Sequence, residues 1–227
     1  AGIAHEIRNP LGSIELFSSL LKKDLSEDPE KKEIVEHISA SVKNMDRIIS
    51  SLLLFAKSPQ PSTQSCDLNT LLKDLFKNSS AILIPDEINP VFSLSDNAIA
   101  NGDSHLLKQV FINLIRNSIQ AMPEGGNLEI ATQKCSQFEQ SSDQSDYYRQ
   151  FIKVTVADQG GGISEENLAN IFNPFFTTKD HGTGLGLSIS HNIIKAHQGT
   201  IDVENEVGKG ARFILKIPCW DHELDKE

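Results

Sequence analysis

Apolar residues recur at helical spacing through the first quarter of the chain. Between residues 3 and 25 they fall at Ile3, Ile7, Leu11, Ile14, Phe17, Leu21 and Leu25, in steps of three and four. Asp28-Pro29-Glu30 breaks the pattern, and Pro29 suits a helix start. A second stripe follows at Ile34, Ile38, Val42, Met45, Ile49, Leu52 and Ala56. Two amphipathic helices joined by a short turn predict a helical hairpin over residues 1–57. So short a hairpin buries little of its own surface. A second copy is therefore expected to complete a four-helix bundle, making a homodimer through residues 3–56.

Residues 58–65, rich in Ser, Pro and Gln, read as a linker. Beyond them the periodicity is mixed. Helices are expected at 68–78, 104–121 and 184–197, and strands at Val91–Leu94, Leu128–Thr132, Ile152–Ala157, Thr200–Glu204 and Arg212–Ile217. That predicts an α+β domain over 66–219, with its helices on one face of a sheet, and a charged, frayed tail at 220–227. The polar stretch 136–150 reads as a long mobile loop between two strands.

Charge narrows the function classes. The net charge is −10 over 227 residues, and no basic block offsets it, which argues against nucleic acid as partner. No apolar run approaches the ~20 residues of a membrane span, so no membrane contact is expected of these residues. Three widely spaced cysteines suit a reducing cytosol and neither a disulfide framework nor a zinc site. These residues therefore read as cytoplasmic, with the whole protein left open between cytosol and membrane anchorage.

Several polar clusters could carry chemistry. On a helical wheel started at Ile3, His5 lies at about 200°, opposite the apolar stripe. Asn9 lies one turn further along the same outward face, Glu6 beside them, and Pro10 should bend the helix locally. An outward imidazole next to a carboxylate suits transfer of a proton or a phosphoryl group, although a solvated histidine would look the same. Asp158-Gln159-Gly160-Gly161-Gly162 follows a predicted strand, placing a fixed acceptor beside an open turn. Gly182-Thr183-Gly184-Leu185-Gly186-Leu187 precedes a helix, where backbone N–H groups favour anions. Gly208-Lys209-Gly210 reads as a hairpin turn. Asn113 and Asn117 share a helix face, and their amide oxygens are hard ligands that could hold Mg²⁺ together with phosphate oxygens. Leu114, Ile115 and Ile119 on that helix are expected to face the sheet.

The order of these pieces resembles the sensor histidine kinases of two-component systems. Ala4-His5-Glu6-Ile7-Arg8-Asn9-Pro10-Leu11 is similar to their H-box, Asn113–Ala121 to their N-box and Asp158–Ile163 to their first glycine box. Ile171-Phe172-Asn173-Pro174-Phe175-Phe176-Thr177-Thr178-Lys179 resembles their F-box, Gly182–Leu187 the second glycine box, and Gly208–Phe213 the closing glycine motif. The F-box and the Asn-Pro-Leu ending look closest to the nitrogen-regulation and acetoacetate-response branch, whose partners are enhancer-binding response regulators.

The resemblance implies a dimeric helical hairpin followed by a Bergerat-type α/β-sandwich that binds ATP. It implies that His5 accepts the γ-phosphoryl group and Glu6 orients it or acts as its base. Asn9 would position a water for dephosphorylating a response-regulator receiver domain. Asn117 would hold Mg²⁺, with Asn113 supporting the phosphate end. Asp158 would read the adenine amine, with Gly160, Gly162 and Ile163 beside the base. Lys179, Gly182, Thr183, Gly184, Leu185, Gly186 and Leu187 would meet the phosphates, and residues 164–183 would form a mobile lid. Gly161, Ser118 in place of a frequent alanine, and the length of 136–150 depart from the family pattern. The chain opens four residues before His5 and is expected to be a fragment. Two alternatives are a degenerate scaffold that binds nucleotide without autophosphorylation, and an ATPase of chaperone or topoisomerase type.

Overall fold

The computed structural model describes residues 2–25, 28–56, 59–77, 82–140, 146–179 and 182–220. The chain forms two compact units, Ala1–Lys57 and Ser58–Glu227.

In the first unit, α1 (Gly2–Asp24) and α2 (Pro29–Ala56) pair as a hairpin. Asp28 starts α2: its Oδ1 accepts from the Lys31 N–H at 3.2 Å and its Oδ2 meets the Lys31 ammonium at 2.6 Å. Lys22 bridges to Glu36 across the hairpin at 2.9 Å. The buried seam is narrow and holds Leu11, Ser18, Val35 and Val42. Most of the predicted stripe lies outside it. Phe17 is 62% exposed and Ile34 59%, and Ile14, Leu21, Ile38, Met45 and Leu52 are exposed with them. The stripe marks an apolar face that the hairpin does not itself cover. The side chains of Ile3, His5, Glu6 and Ile7 lie outside the described residues.

The second unit is a layered α/β structure. Its main sheet runs β2 (Ile88–Leu94), β4 (Gly126–Gln140), β5 (Asp146–Ala157), β7 (Gly210–Pro218) and β6 (Thr200–Glu206) in spatial order 2-4-5-7-6. Among the described strands of this sheet, only β2 and β4 pair in parallel. Three helices pack with it: α3 (Leu68–Lys77), α4 (Ser104–Ala121) and α6 (Gly186–Ala196). Leu107, Val110, Phe111, Leu114 and Ile115 of α4 are fully buried, each such side chain contributing about 1.5–3 kcal/mol. Ser118 continues this stripe, fully buried, whereas Ile119 is only half-buried. The face is thus rotated slightly from the expected one.

Two strands were not foreseen in the pattern. β1 (Gln64–Asp67) and β3 (Ile99–Gly102) form a small antiparallel sheet, so the last two residues of the expected linker are strand. Both are four residues long, too short for alternation to show. Each leads into a cap. Asp67 Oδ1 accepts from the Asn69 N–H, and Asp103 Oδ1 accepts from the His105 and Leu106 N–H groups. Asp103 Oδ2 also accepts from Ser62 N at 3.1 Å. Burial works against ionising Asp103. The N–H groups of Leu106, Ser62 and His105 nevertheless hold its carboxyl below the usual range. His197, buried at the end of α6, accepts the Asp103 N–H on Nε2 at 2.9 Å and lies 2.8 Å from the Ile193 carbonyl through Nδ1. Its proton therefore belongs on Nδ1.

The stretch 136–150 is mostly strand rather than loop. β4 and β5 stay paired out to Gln140 and Asp146, and only residues 141–145 of the expected loop fall outside the described residues. Alternation fails there because few of its side chains are apolar. At the other end the Trp220 N–H donates to the Ile99 carbonyl at 3.1 Å, so the first tail residue is docked. Residues 221–227 lie outside the described residues. Among the described residues no helix is long and apolar enough to cross a membrane.

Candidate functional site

Asp158 directly follows β5, the central strand of the sheet, and its side chain is buried. Its Oδ1 accepts the N–H groups of Gly160 at 3.1 Å and Ala211 at 3.2 Å. Its Oδ2 has no hydrogen-bond partner among the described residues. One oxygen thus fixes the carboxylate and the other remains an available acceptor.

The loop after Asp158 is held from the β6–β7 side. Asn205 clasps the Ile163 backbone twice: Oδ1 accepts its N–H and Nδ2 donates to its carbonyl, both at 2.6 Å. Gly208 N donates to the Gly161 carbonyl at 2.9 Å. A Cβ on Gly210, whose φ is +112°, would strike the Asp158 carbonyl. Gly208-Lys209-Gly210 is the expected hairpin turn, and it also braces the Asp158 loop. Gly160 and Gly162 lie within this braced segment.

Asn113 and Asn117 sit one turn apart on α4 but serve different neighbours. Asn113 Nδ2 donates to Ser190 Oγ at 3.0 Å, and that hydroxyl donates to the Gly186 carbonyl at 3.0 Å. Gly186 must be small here, because a Cβ would collide with the Asn113 amide. Asn113 therefore ties α4 to the first turn of α6. Asn117 Oδ1 accepts from the Lys179 ammonium at 3.2 Å, and Gln120 Oε1 accepts from the same ammonium at 2.6 Å. Lys179 as a residue is exposed, yet its ammonium is desolvated. That desolvation lowers its pKa, against the pull of the Asp158 carboxylate.

Gly182 N donates to the Lys179 carbonyl at 3.0 Å, and Thr183 Oγ1 accepts the Leu185 N–H at 3.3 Å. Gly184 follows with positive φ, Leu185 is buried at the start of α6, and Leu187 is half-buried in its first turn. Leu185 at the N-cap makes no side-chain cap hydrogen bond, so among the described residues no N-cap oxygen claims the first N–H groups of this helix. The segment from 164 holds one helical turn, α5 (Glu165–Leu168), with Ile171 buried and the Phe172 ring 5.5 Å from that of His191. Residues 180–181 lie outside the described residues. In the first unit Asn9 is exposed on α1.

Gln120, Ser190 and Asn205 escape sequence reasoning. Each is a polar residue in a regular element, and only the packing of α4, α6 and β6 gives it a task.

The second unit has the architecture of a nucleotide-binding α/β sandwich, with its polar residues gathered where β5, α4 and α6 meet. A family model described as "Histidine kinase-, DNA gyrase B-, and HSP90-like ATPase" matches residues 102–221, and one described as "His Kinase A (phospho-acceptor) domain" matches residues 1–61. The chain belongs to the sensor histidine kinases of two-component systems, of which it is the catalytic core. Sporulation kinase C of Bacillus subtilis (strain 168) is 38% identical over 220 residues, covering 96% of this chain and 48% of that protein. The signal transduction histidine-protein kinase AtoS of Escherichia coli (strain K12) is 34% identical over 220 residues, covering 96% and 34%. The chain thus spans half or less of the length of these relatives. Among solved structures, full-length ShkA in complex with AMPPNP superposes over 96% of this chain and 45% of that one, with a TM-score of 0.74 at 23% identity. The catalytic domain of histidine kinase ThkA covers 69% of this chain and 97% of its own, with a TM-score of 0.53 at 34% identity.

Proposed function

We propose that this chain is an ATP-dependent autokinase core that phosphorylates His5 and passes the phosphoryl group to an aspartate of a response-regulator receiver domain. The Asp158 carboxylate supports the reading most strongly. It is locked by two backbone N–H groups through one oxygen and open through the other, as recognition of an exocyclic amine requires. Ile163 and the glycines beside it, clasped by Asn205, form the wall against which the base lies. The uncapped start of α6 and residues 182–187 face the phosphates, where helix dipole and backbone N–H groups both favour negative charge.

Residues 164–183 act as the lid over the nucleotide. Asn113 holds the floor of the site by fixing α6. Asn117 suits Mg²⁺ because its amide oxygen already takes a cation, the Lys179 ammonium. When bound, Mg²⁺ neutralises phosphate charge; the chain's own residues align the reactants. A nitrogen of His5 forms the new bond to the γ-phosphorus, the bond to the leaving ADP breaks, and Glu6 takes or orients the imidazole proton. Asn9, one turn along the helix, aims a water at the phosphorylated regulator in the opposite, phosphatase activity. The uncovered apolar face with Phe17, Ile34 and Met45 supports a homodimer through residues 3–56. The partner regulator is of the enhancer-binding type, which the F-box wording and the Asn-Pro-Leu ending support.

The deciding experiment is incorporation of label from γ-labelled ATP. The wild-type chain should take up label that is acid-labile and alkali-stable, and His5→Gln should take up none. Full labelling of His5→Gln would reject the acceptor. Nucleotide binding without any label in the wild type would leave a scaffold.

A further inference from the structure

On α4, Asn117 and Gln120 are three residues apart, so their side chains rise from one face. Both turn a carbonyl oxygen to one positive charge, the Lys179 ammonium, at 3.2 and 2.6 Å. The amide orientation has a physical reason, since the –NH₂ ends would point donors at a donor. Lys179 comes from the segment before the second glycine box, and its ammonium is desolvated there with the Asp158 carboxylate acting on it. Sequence reasoning gave Asn117 to the metal and Lys179 to the phosphates, and gave Gln120 nothing. The two amide oxygens form one seat for a cation, and two cations have reason to use it.

We infer that Gln120 is a second Mg²⁺-binding residue and that the Asn117–Gln120 seat holds either the Lys179 ammonium or the Mg²⁺ that accompanies ATP, never both. This rests on the nucleotide site proposed above. Neutral amide oxygens are hard ligands of the kind Mg²⁺ accepts, but they offer no net charge. Alone they hold a monovalent ammonium well, and a dehydrated divalent ion poorly. Polyphosphate oxygens beside the seat tip the balance toward Mg²⁺. Coulomb repulsion between Mg²⁺ and an ammonium on the same two oxygens then expels Lys179. The expelled ammonium carries its charge to the phosphates, so metal arrival and lid attachment become one event. Gln120 therefore sets how strongly Mg²⁺ governs nucleotide affinity, and Lys179 is the competitor that keeps the seat closed to metal without nucleotide.

The test is calorimetric titration of the whole chain with AMPPNP, once with excess Mg²⁺ and once with EDTA, reading the ratio of the two affinities. Gln120→Leu should lower that ratio about tenfold, in line with the loss of one metal partner. Gln120→Glu keeps an oxygen at the same place and should hold the ratio at or above the wild-type value. Lys179→Met should move it the other way. It removes the competitor, and it also removes the ammonium charge that Lys179 offers the phosphates in EDTA. Gln120 is exposed, so Gln120→Leu should fold, which its melting curve checks. An unchanged ratio in Gln120→Leu overturns the inference, and so does a fall in Gln120→Glu as large as that in Gln120→Leu. A wild-type chain that binds no AMPPNP in either buffer would overturn the nucleotide site itself, and the seat with it.

Discussion

The two units solve burial in opposite ways. In Ser58–Glu227 three helices cover the sheet, and Phe111, Leu114, Ile152, Val154 and Leu215 are almost wholly removed from water. In Ala1–Lys57 the described core shrinks to Leu11, Ser18, Val35 and Val42, while larger side chains such as Phe17 and Ile34 face outward. The lesson is one of stoichiometry. A five-stranded sheet with its helices can complete its core within one chain, whereas two helices have only one mutual seam and need other helices for the remaining face. The second unit is self-sufficient, and the hairpin unit, whose exposed apolar face is left over, is the one that association would complete.

Separating the units breaks this comparison most sharply. Residues 58–227 alone should keep their melting temperature at any protein concentration. The hairpin should melt at a temperature that rises with concentration, and Phe17→Asp should reduce it to a largely unfolded monomer. Light scattering and circular dichroism over a dilution series measure this; a strict monomer with full helicity would end the argument. Asn9→Ala comes next. It should lose most phosphatase activity toward the phosphorylated regulator, with autophosphorylation changed only a few-fold. Loss of phosphate from purified phosphoregulator in the presence of ADP measures it, and Asn9 is exposed, so stability should barely change.

Within the self-sufficient unit, Asp158→Ala should weaken ATP binding roughly ten- to a hundredfold, because an orphaned buried polar group costs about 1–3 kcal/mol. Wild-type affinity in that variant would remove Asp158 from the site. The smallest effect expected is on stability. Asp103→Ala deletes a helix cap and should cost about 1–2 kcal/mol, read as a fall in melting temperature. The folded-state carboxyl of Asp103 titrates below its unfolded value of about 4. Its contribution is therefore complete above that value and is lost as pH falls through the folded one. Acid should narrow the difference between wild type and Asp103→Ala, and no such narrowing would show that the cap does not depend on charge.

The helices were legible because their apolar faces repeat many times. α1, α2 and α4 each span 18 residues or more, enough for the 3.6-residue period to stand out. Strand centres in β4, β5 and β7 were legible for a different reason, as short runs rich in apolar and β-branched residues. β1, β3 and the outer parts of β4 and β5 were not, since short or polar strands owe their pairing to backbone hydrogen bonds that any sequence can make. In the site, Asp158 and the glycine clusters were visible as dense local words. Asn205 and Gln120 were not, because each lies far in sequence from the residue it serves.

The sequence by itself determined the two units, their five longer helices but not the single turn of α5, the family, and the residue types able to carry the chemistry. Those properties are local, set by periodicity, backbone freedom and the spacing of polar groups along a few turns. Tertiary structure alone decided that Asn113 would hold α6 while Asn117 faced a lysine 62 residues away, and that a β-turn would brace the Asp158 loop. Such pairings depend on which elements become neighbours when the core closes, and burial of apolar surface, which drives that closure, carries no direction of its own.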